Sequence, residues 1–140
     1  MTLVAGKFAP VPTPLTQVYW DACLNHKLLL QQCRDCGQYQ FYPRIFCTSC
    51  TSRNVSWIRA TGRGEVQTWT VVRTPLAEAY AAETPYLIAL IRLDEGPVMM
   101  SQLTECAPEQ VTRDMHVEVL FRAWSEQITM PVFRPTGNAG

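Results

Sequence analysis

Apolar and polar residues alternate along most of the chain after residue 54, as they do in β-strands that bury one face. The pattern is clearest at residues 65–73, where β-branched and aromatic side chains are also concentrated. Five or six short strands with a turn about every 8 to 12 residues predict a small closed barrel or sandwich, and about 80 residues match an OB-type barrel in size. The predicted strands cover residues 55–60, 65–73, 86–93, 98–103, 117–123 and 128–133.

Three connections between these strands have recognisable local signals. Residues 61–64 (TGRG) predict a turn in which the glycines adopt positive φ, and residues 94–96 (DEG) predict a tight hairpin turn. Residues 74–84 predict a loop with one helical turn. Short strands joined in this way favour a mainly β fold.

The first 54 residues lack this alternation. Prolines at positions 10, 12 and 14 predict an extended arm over residues 1–15, and Thr16 suits the N-cap of a short helix over Gln17–Leu24. Residues 27–32 predict a strand that leads into a pair of cysteines. Residues 39–42 predict a short aromatic strand that a proline ends.

Four cysteines in this region have the spacing of a metal site: Cys33, Cys36, Cys47 and Cys50. Two C-x-x-C pairs can place four thiolates at the corners of a tetrahedron, with Zn–S distances of about 2.3 Å. Gly37 follows the first pair and eases its turn, whereas Thr51 stands at the matching position of the second. Four thiolates leave no open coordination position, so we predict one structural zinc.

Other uses of the cysteines are weaker alternatives. A rubredoxin-type iron site has the same four-sulfur geometry, so iron is the alternative metal. Thioredoxin-like redox chemistry needs one C-x-x-C at the start of a helix in an α/β fold, which this chain does not predict. The first residues lack the regions of a signal peptide, and apolar runs such as residues 86–91 are too short to span a bilayer. We therefore expect a cytoplasmic protein without membrane association.

The 12 basic and 12 acidic residues balance, but they are distributed unevenly. Five arginines and one acid lie between residues 44 and 73, whereas four arginines and nine acids follow residue 74. The basic segment is either scattered surface charge or a patch for phosphates or an acidic partner. Zero net charge argues against a nucleic-acid-binding zinc-ribbon or OB module, because such a module must neutralise phosphates.

No residues form a recognisable catalytic motif. Cys23 lies on the apolar side of the predicted helix, Cys106 lies in a predicted loop without a base, and His26 and His116 stand alone. We therefore predict no catalytic residues, which disfavours an independent hydrolase or hydratase. Four tryptophans and the run at residues 41–44 exceed what a barrel core obviously needs. Most of these residues are expected in the core, and some are expected to form an exposed patch for a partner.

The order of these features resembles the DUF35 family, in which a rubredoxin-like zinc ribbon precedes an acyl-CoA-associated OB-fold. The resemblance covers nearly the whole chain, from about residue 14 to residue 135. Its motifs are Tyr19-Trp20, Leu30-Gln31-Gln32-Cys33-x-x-Cys36, Phe41-Tyr42-Pro43-Arg44, Cys47-x-x-Cys50, Trp57, Gly62-Arg63-Gly64-x-Val66, Trp69-Thr70-Val71-Val72, Pro85-Tyr86, Leu93-Asp94-Glu95-Gly96 and Pro131-Val132-Phe133-Arg134-Pro135.

The expected fold is mainly β, with a short N-terminal helix, a rubredoxin-like zinc ribbon and a small five- or six-stranded OB-fold barrel. We predict an N-terminal arm and helix at residues 1–26 and the zinc ribbon at residues 27–54. The OB-fold is expected at residues 55–135 and a tail at residues 136–140.

The resemblance implies a function that spacing alone does not show. Stand-alone members of the family are generally partners of thiolase-superfamily proteins, and the catalytic residues lie in the partner. The chain is therefore expected to be a non-catalytic, acyl-CoA-associated accessory subunit. The first expectation for the partner is a lipid-transfer-protein-like aldolase that cleaves steroid side-chain CoA thioesters by a retro-aldol reaction. The alternatives are a thiolase-like acyltransferase and a hot-dog-fold enoyl-CoA hydratase.

The resemblance also implies a ligand shared with the partner, because the small subunit of such complexes helps to form the acyl-CoA channel. Guanidinium groups bind phosphates bidentately, so Arg44, Arg63 and Arg73 are the candidates for contact with the CoA phosphates. Thiolase-like enzymes are usually dimers, so a heterotetramer with two copies of each chain is expected.

Overall fold

The computed structural model describes residues 9–75 and 77–136 of the chain. Residues 1–8 of the predicted arm and residues 137–140 of the predicted tail lie outside the described residues. Within the described ranges, no helix has the length and apolar content needed to cross a bilayer. The elements are the helix α1 (Gln17–Leu24), the strands β1 (Leu29–Cys33), β2 (Tyr39–Gln40), β3 (Val55–Arg59), β4 (Arg63–Val72), β5 (Tyr86–Leu93), β6 (Val98–Leu103), β7 (His116–Ala123) and β8 (Thr129–Pro135), and the 3₁₀ helices Glu78–Glu83 and Pro108–Gln110.

Five strands form the closed barrel that the alternating pattern predicts. Their order is β4-β5-β6-β8-β7, and pairing between β4 and β7 closes the barrel. Neighbouring strands are antiparallel except β6 and β8, which meet in parallel at Leu103 and Phe133. The mainly β class and a five-stranded barrel of the OB type are thereby confirmed.

The alternation along β5 places every second side chain in the barrel core. Leu87, Ala89, Ile91 and Leu93 are buried, whereas the residues between them are partly or fully exposed. Burial of each leucine or isoleucine stabilises the barrel by about 1.5–3 kcal/mol relative to an exposed side chain. Phe133 of β8 is fully buried in the same cluster.

The two glycines before and within β4 have different roles. Gly62 has a φ of +81°, and a Cβ there would lie 2.6 Å from Cγ1 of Val119. Gly64 does not have the predicted positive φ, because the turn ends earlier than expected and β4 begins at Arg63. Gly64 instead permits close strand packing, since a Cβ there would lie 2.5 Å from the carbonyl oxygen of Arg92.

A three-stranded antiparallel sheet with the order β2-β1-β3 holds the cysteine region. The alternating pattern counts residues 55–60 among the barrel strands. In the structure this segment is β3, which pairs with β1 from Leu29 opposite Arg59 to Cys33 opposite Val55. The assignment of this strand to the barrel was wrong, because alternation identifies a strand but not the strand with which it pairs.

One hydrophobic cluster joins the helix, the three-stranded sheet and the barrel. Trp57 and Ile58 of β3 also pack against this cluster. The domain boundary at residue 54 therefore stays a prediction. Members of the cluster from the three parts include Tyr19, Trp20 and Cys23 of α1, Leu30 of β1, and Val66, Ile91 and Phe133 of the barrel.

Helix α1 has the predicted bounds, but its N-terminus is not capped as predicted. The Thr16 side chain makes no hydrogen bond to the helix backbone. Its Oγ1 instead accepts a hydrogen bond from the N–H of Thr13 at 2.8 Å, so the two threonines stabilise the turn before the helix. Cys23 is buried as predicted, and its burial raises the pKa of the thiol to about 12.

Candidate metal centre and aromatic groove

The two cysteine pairs form two knuckles with the same backbone hydrogen bond. The N–H of Gly37 donates to the carbonyl oxygen of Cys33, and the N–H of Thr51 donates to that of Cys47, both at 2.9 Å. Gly37 has a φ of +79° and Thr51 a φ of +66°. Glycine therefore eases the first turn as predicted, whereas Thr51 adopts the same left-handed conformation at a higher conformational cost.

The knuckles bring four sulfur atoms together, and all six cysteines of the chain are free of disulfide bonds. Two pairs of Sγ atoms, Cys33 with Cys50 and Cys36 with Cys47, are 3.6 Å apart. A tetrahedral zinc with bonds of about 2.3 Å requires sulfur atoms about 3.8 Å apart. A disulfide would need a separation of about 2 Å. The donor set therefore fits a four-coordinate zinc.

Backbone N–H groups stabilise the thiolate form of the first cysteine in each knuckle. The N–H of Cys36 donates to Sγ of Cys33 at 3.4 Å and lowers the pKa of that thiol. The N–H groups of Cys50 and Ser49 donate to Sγ of Cys47 at 3.4 and 3.3 Å. These bonds, that from Cys50 foremost, lower the pKa of Cys47 to about 6. Both sulfur atoms are thus prepared to bind a metal as thiolates.

A carboxylate joins the two knuckles on the outer side of the cysteine cluster. Asp35 accepts hydrogen bonds from the hydroxyl of Ser52 and, at 3.2 Å, from Nδ2 of Asn54. These bonds, that from Ser52 foremost, hold the pKa of Asp35 below its usual value. The segment that follows the second knuckle is therefore attached to the first knuckle as well.

Two buried glutamines, which the sequence analysis did not identify as functional, hold the loop between the knuckles. Oε1 of Gln31 accepts hydrogen bonds from Nε2 of Gln40 and from the N–H of Arg44, both at 2.8 Å. Oε1 of Gln40 accepts a hydrogen bond from the N–H of Thr48 at 2.9 Å. Gln31 is 3% and Gln40 7% exposed, so these bonds are shielded from water.

The three arginines predicted to contact CoA phosphates are exposed and do not lie together. Arg44 lies in the loop between the knuckles, and its Nη1 donates to the carbonyl oxygen of Pro43 at 3.2 Å. Arg63 begins β4 and Arg73 follows its end. Because a strand advances about 3.3 Å per residue, these two arginines are roughly 30 Å apart. They cannot contact the same phosphate.

The other residues considered for chemistry are dispersed. The His26 ring stacks on Phe121, with centroids 5.4 Å apart and planes 13° apart. His116 and Arg63 line a polar depression of about 480 Å³ at the edge of the barrel. The Cys106 thiol donates to the carbonyl oxygen of the next residue at 3.5 Å, and burial raises its pKa, which favours the unreactive thiol.

A groove of about 510 Å³ lies where the helix, the cysteine region and the barrel meet. The Tyr19 ring organises one side of it, with its centroid 5.6 Å from that of Phe41 and 5.7 Å from that of Tyr42. The surplus of aromatic residues is thus concentrated on a concave surface. The aromatic lining consists of Tyr19 and Trp20 from α1, Phe41 and Tyr42 from the segment after β2, and Tyr80, Tyr86 and Trp124 from the barrel region.

The rest of the groove lining is mostly apolar. It includes the methionines Met99, Met100 and Met130, and Met100 is 69% exposed. Glu83 is the one charged residue among the described residues that line the groove. The Nε1 atom of Trp20 is shielded from water and has no hydrogen-bond acceptor in the described part of the chain.

Comparisons with known proteins assign both parts of the chain. The family model for the rubredoxin-like zinc ribbon domain of ChsH2 matches residues 20–56, and that for the C-terminal OB-fold domain of ChsH2 matches residues 57–122. The ribbon match and the four clustered cysteines confirm the prediction of one structural zinc.

Two curated relatives differ in how much of their own length the chain covers. A DUF35 domain-containing scaffold protein of Pyrococcus furiosus is 38% identical over 98 residues, which are 70% of this chain and 71% of that protein. A probable enoyl-CoA hydratase alpha subunit of Thermomonospora curvata is 30% identical over 117 residues, which are 84% of this chain but 36% of that subunit.

A solved structure is similar over almost the whole chain. It is described as an Ltp2-ChsH2(DUF35) aldolase and superposes with a TM-score of 0.81 at 28% sequence identity. The similarity covers 91% of this chain and 98% of the matched chain. The ribbon and the barrel are therefore shared together, in the same arrangement.

Proposed function

The chain belongs to the DUF35 family of scaffold proteins, and from this premise we propose that it is a non-catalytic, acyl-CoA-associated subunit of a thiolase-superfamily enzyme. The first candidate for that enzyme is an aldolase that cleaves steroid side-chain CoA thioesters by a retro-aldol reaction. A thiolase-like acyltransferase is the next. We expect a heterotetramer in the cytoplasm, where a reducing environment keeps cysteine thiolates available for zinc.

One observation carries this proposal: the similarity to the Ltp2-ChsH2(DUF35) aldolase, which covers 98% of the matched chain. A partner enzyme recognises surfaces that depend on how the ribbon and the barrel are oriented. A TM-score of 0.81 supports the same orientation in this chain. The name of the matched structure supports an aldolase as the first candidate.

The internal construction of the chain suits a rigid scaffold. The cysteine cluster, the Asp35 carboxylate and the buried Gln31–Gln40 pair fix the backbone of the ribbon. The shared hydrophobic cluster then fixes the ribbon on the barrel. Cys106 is held as a thiol and the histidines are dispersed, so we assign the chemistry to the partner.

Reconstitution tests this function. The chain is co-expressed with the thiolase-like protein encoded nearest to it and is purified through an affinity tag on that protein. We expect a stable complex with two copies of each chain, measured by light scattering. The complex, and neither chain alone, should convert a steroid side-chain CoA thioester that carries a β-hydroxyl group on the ring into a shorter acyl-CoA and a steroid ketone, measured by chromatography.

Two cysteine variants serve as a matched pair in this test. Cys47→Ser removes a metal ligand and should prevent assembly of an active complex, whereas Cys106→Ser lies outside the cysteine cluster and should retain both assembly and activity. Turnover of the thioester by the chain alone would contradict the proposal. So would full activity of the partner without the chain.

A second candidate function is favoured by a different observation. The Thermomonospora curvata hydratase subunit aligns with 84% of this chain, within a protein almost three times as long as the matched part. The chain could therefore be a separate polypeptide that does the work of the matching part of such a subunit. A complex with a hot-dog-fold protein that hydrates an enoyl-CoA, measured by loss of the enoyl thioester absorbance, would favour this candidate over the aldolase.

A further inference from the structure

The aromatic groove has the properties of a small-molecule site. Its volume of about 510 Å³ lies in the range of roughly 300–1,000 Å³ that such sites occupy. Its lining combines aromatic and other apolar side chains with a few polar groups, as in those sites. Helix, ribbon and barrel all contribute to the lining, so the folded chain forms the groove without a partner.

The charge of the groove limits the class of ligand. The described lining contains no lysine, arginine or histidine, and Glu83 is acidic. A phosphate or carboxylate would therefore lack a positively charged partner in the described lining. A cation would be attracted to the aromatic faces, but it could not accept a hydrogen bond. These conditions favour an uncharged and largely apolar ligand.

Trp20 adds a specific polar requirement. Its side chain is 6% exposed, and its indole N–H has no acceptor in the described residues. An unpaired buried donor of this kind costs about 1–3 kcal/mol, and roughly nine in ten buried polar groups are paired in native proteins. A carbonyl oxygen is an uncharged acceptor that would satisfy this donor without bringing a donor of its own into an apolar groove.

The lining can adapt to bring such a group to Trp20. Nε1 of Trp20 is shielded from water, so a ligand must displace part of the lining to reach it. Met99, Met100 and Met130 lie in that lining, and methionine side chains repack easily because they are unbranched and flexible. The groove therefore combines aromatic walls with methionine side chains that can repack.

We propose that the groove binds an uncharged, largely apolar ring compound that carries a carbonyl group, and that the indole N–H of Trp20 donates a hydrogen bond to the carbonyl oxygen. This inference does not depend on the proposed subunit function, because the groove belongs to this chain alone. Failure of the binding test would leave that function standing, and failure of the reconstitution would leave this site standing.

A fluorescent ketone tests the proposal on the isolated, zinc-containing chain. The probe is 6-propionyl-2-(dimethylamino)naphthalene, whose emission depends on the polarity around it. The comparison compound is its 6-propyl analogue, in which a methylene group replaces the carbonyl. We expect the ketone to bind with a blue shift of its emission and about fivefold to tenfold more tightly than the 6-propyl analogue, the usual value of one hydrogen bond.

Trp20→Phe removes the donor but keeps an aromatic ring. It should weaken binding of the ketone by about fivefold to tenfold and leave binding of the 6-propyl analogue nearly unchanged. Trp57→Phe is the matched control, because Trp57 does not line the groove. In a ¹H–¹⁵N spectrum, the indole signal of Trp20 is identified as the one that Trp20→Phe removes. In the unchanged chain, this signal should move downfield when the ketone is added. The 6-propyl analogue should not cause that shift.

A second variant makes the result independent of the folding of Trp20→Phe. Met100 is 69% exposed, so Met100→Lys should fold normally while it places a charge at the groove and weakens both compounds severalfold. If Trp20→Phe loses its zinc, Met100→Lys and the comparison of the ketone with the 6-propyl analogue decide the question. The proposal is overturned if neither compound binds or if both bind the unchanged chain equally. Tighter binding of tetramethylammonium than of the ketone would also overturn it.

Discussion

At the scale of single residues, Gly62 and Gly37 have nearly the same positive φ but different surroundings. Nothing lies within 4 Å of a Cβ placed on Gly37, whereas a Cβ on Gly62 would lie 2.6 Å from Cγ1 of Val119. We expect Gly37→Ala to lower the free energy of unfolding by about 1 kcal/mol, the conformational cost alone. Gly62→Ala should lower it by about 2–4 kcal/mol, because overpacking adds to that cost.

Urea unfolding, followed by tryptophan fluorescence with zinc content checked, measures both changes. A third variant separates the steric part from the conformational part. In a Val119→Ala background, the loss caused by Gly62→Ala should fall towards that of Gly37→Ala, because the clashing methyl group is absent. Equal losses at the two glycines in the natural background would contradict the steric explanation.

The metal ligands and the residues that support them differ in how well the sequence reveals them. Cys33 and Cys36 form a C-x-x-C pair, a spacing typical of metal sites, so their role could be predicted. Gln31 has no such spacing, because its partners are a side chain and a backbone segment that only the fold brings close. An orphaned donor such as Nε1 of Trp20 becomes visible only when all its neighbours are placed.

At the scale of elements, the three-stranded sheet depends on metal more than the barrel does. Its strands contain two to five residues, and such short strands are marginal without a further constraint. We expect Cys47→Ser to reduce zinc from about one per chain to a small fraction. Hydrogen exchange should then show loss of amide protection in β1 and β2, with protection retained in β4 and β5.

Cys106→Ser is the control for this change, since Cys106 is a partly buried cysteine that is not part of the sulfur cluster. It should retain both zinc, measured by mass spectrometry, and the protection of β1 and β2. Zinc bound at the full level by Cys47→Ser would show that the other three cysteines suffice. Intact protection of β1 in a metal-free protein would show that the sheet does not need the metal.

Strand identity could be predicted from the sequence more reliably than strand pairing. The strands at Tyr86–Leu93 and Val98–Leu103 have the predicted bounds, because a tight turn joins them and their inner faces alternate. For β3, no local signal indicates that its partner is β1, about 25 residues earlier in the sequence. The prediction that the Thr16 side chain caps the helix was wrong, because its hydroxyl group makes a hydrogen bond with the hydroxyl group of Thr13 instead.

At the scale of the whole molecule, α1 connects the parts that the sequence presents as separate units. Its buried face belongs to the cluster that contains barrel residues, and Tyr19 also contacts the segment after β2. The groove exists because these three parts meet there. A count of aromatic residues indicated a surplus, but their convergence into one concavity required the tertiary arrangement.

The positions of the arginines in the folded molecule determine how the chain could contact the CoA part of a shared substrate. Arg44, Arg63 and Arg73 are exposed, and Arg63 and Arg73 lie at opposite ends of β4. Because the phosphate groups of one CoA lie much closer together than the two ends of β4, only one of Arg63 and Arg73 can meet them. We predict that changing that arginine, or Arg44, to glutamine weakens acyl-CoA binding by the complex by about twofold to fivefold, as expected for an exposed charge pair.

A comparison of two ligands shows which arginine meets which phosphate. Isothermal titration measures binding of an acyl-CoA and of its 3′-dephospho analogue. If an arginine contacts the 3′-phosphate, its replacement by glutamine should weaken binding of the acyl-CoA but not binding of the analogue. Since Arg63 and Arg73 are roughly 30 Å apart along β4, at most one of them can behave in this way. Arg113→Gln is the control, because this exposed arginine lies outside the basic segment at residues 44–73. Unchanged affinity in all three variants, with zinc and assembly intact, would remove the arginines from the proposed contact and leave CoA binding to the partner alone.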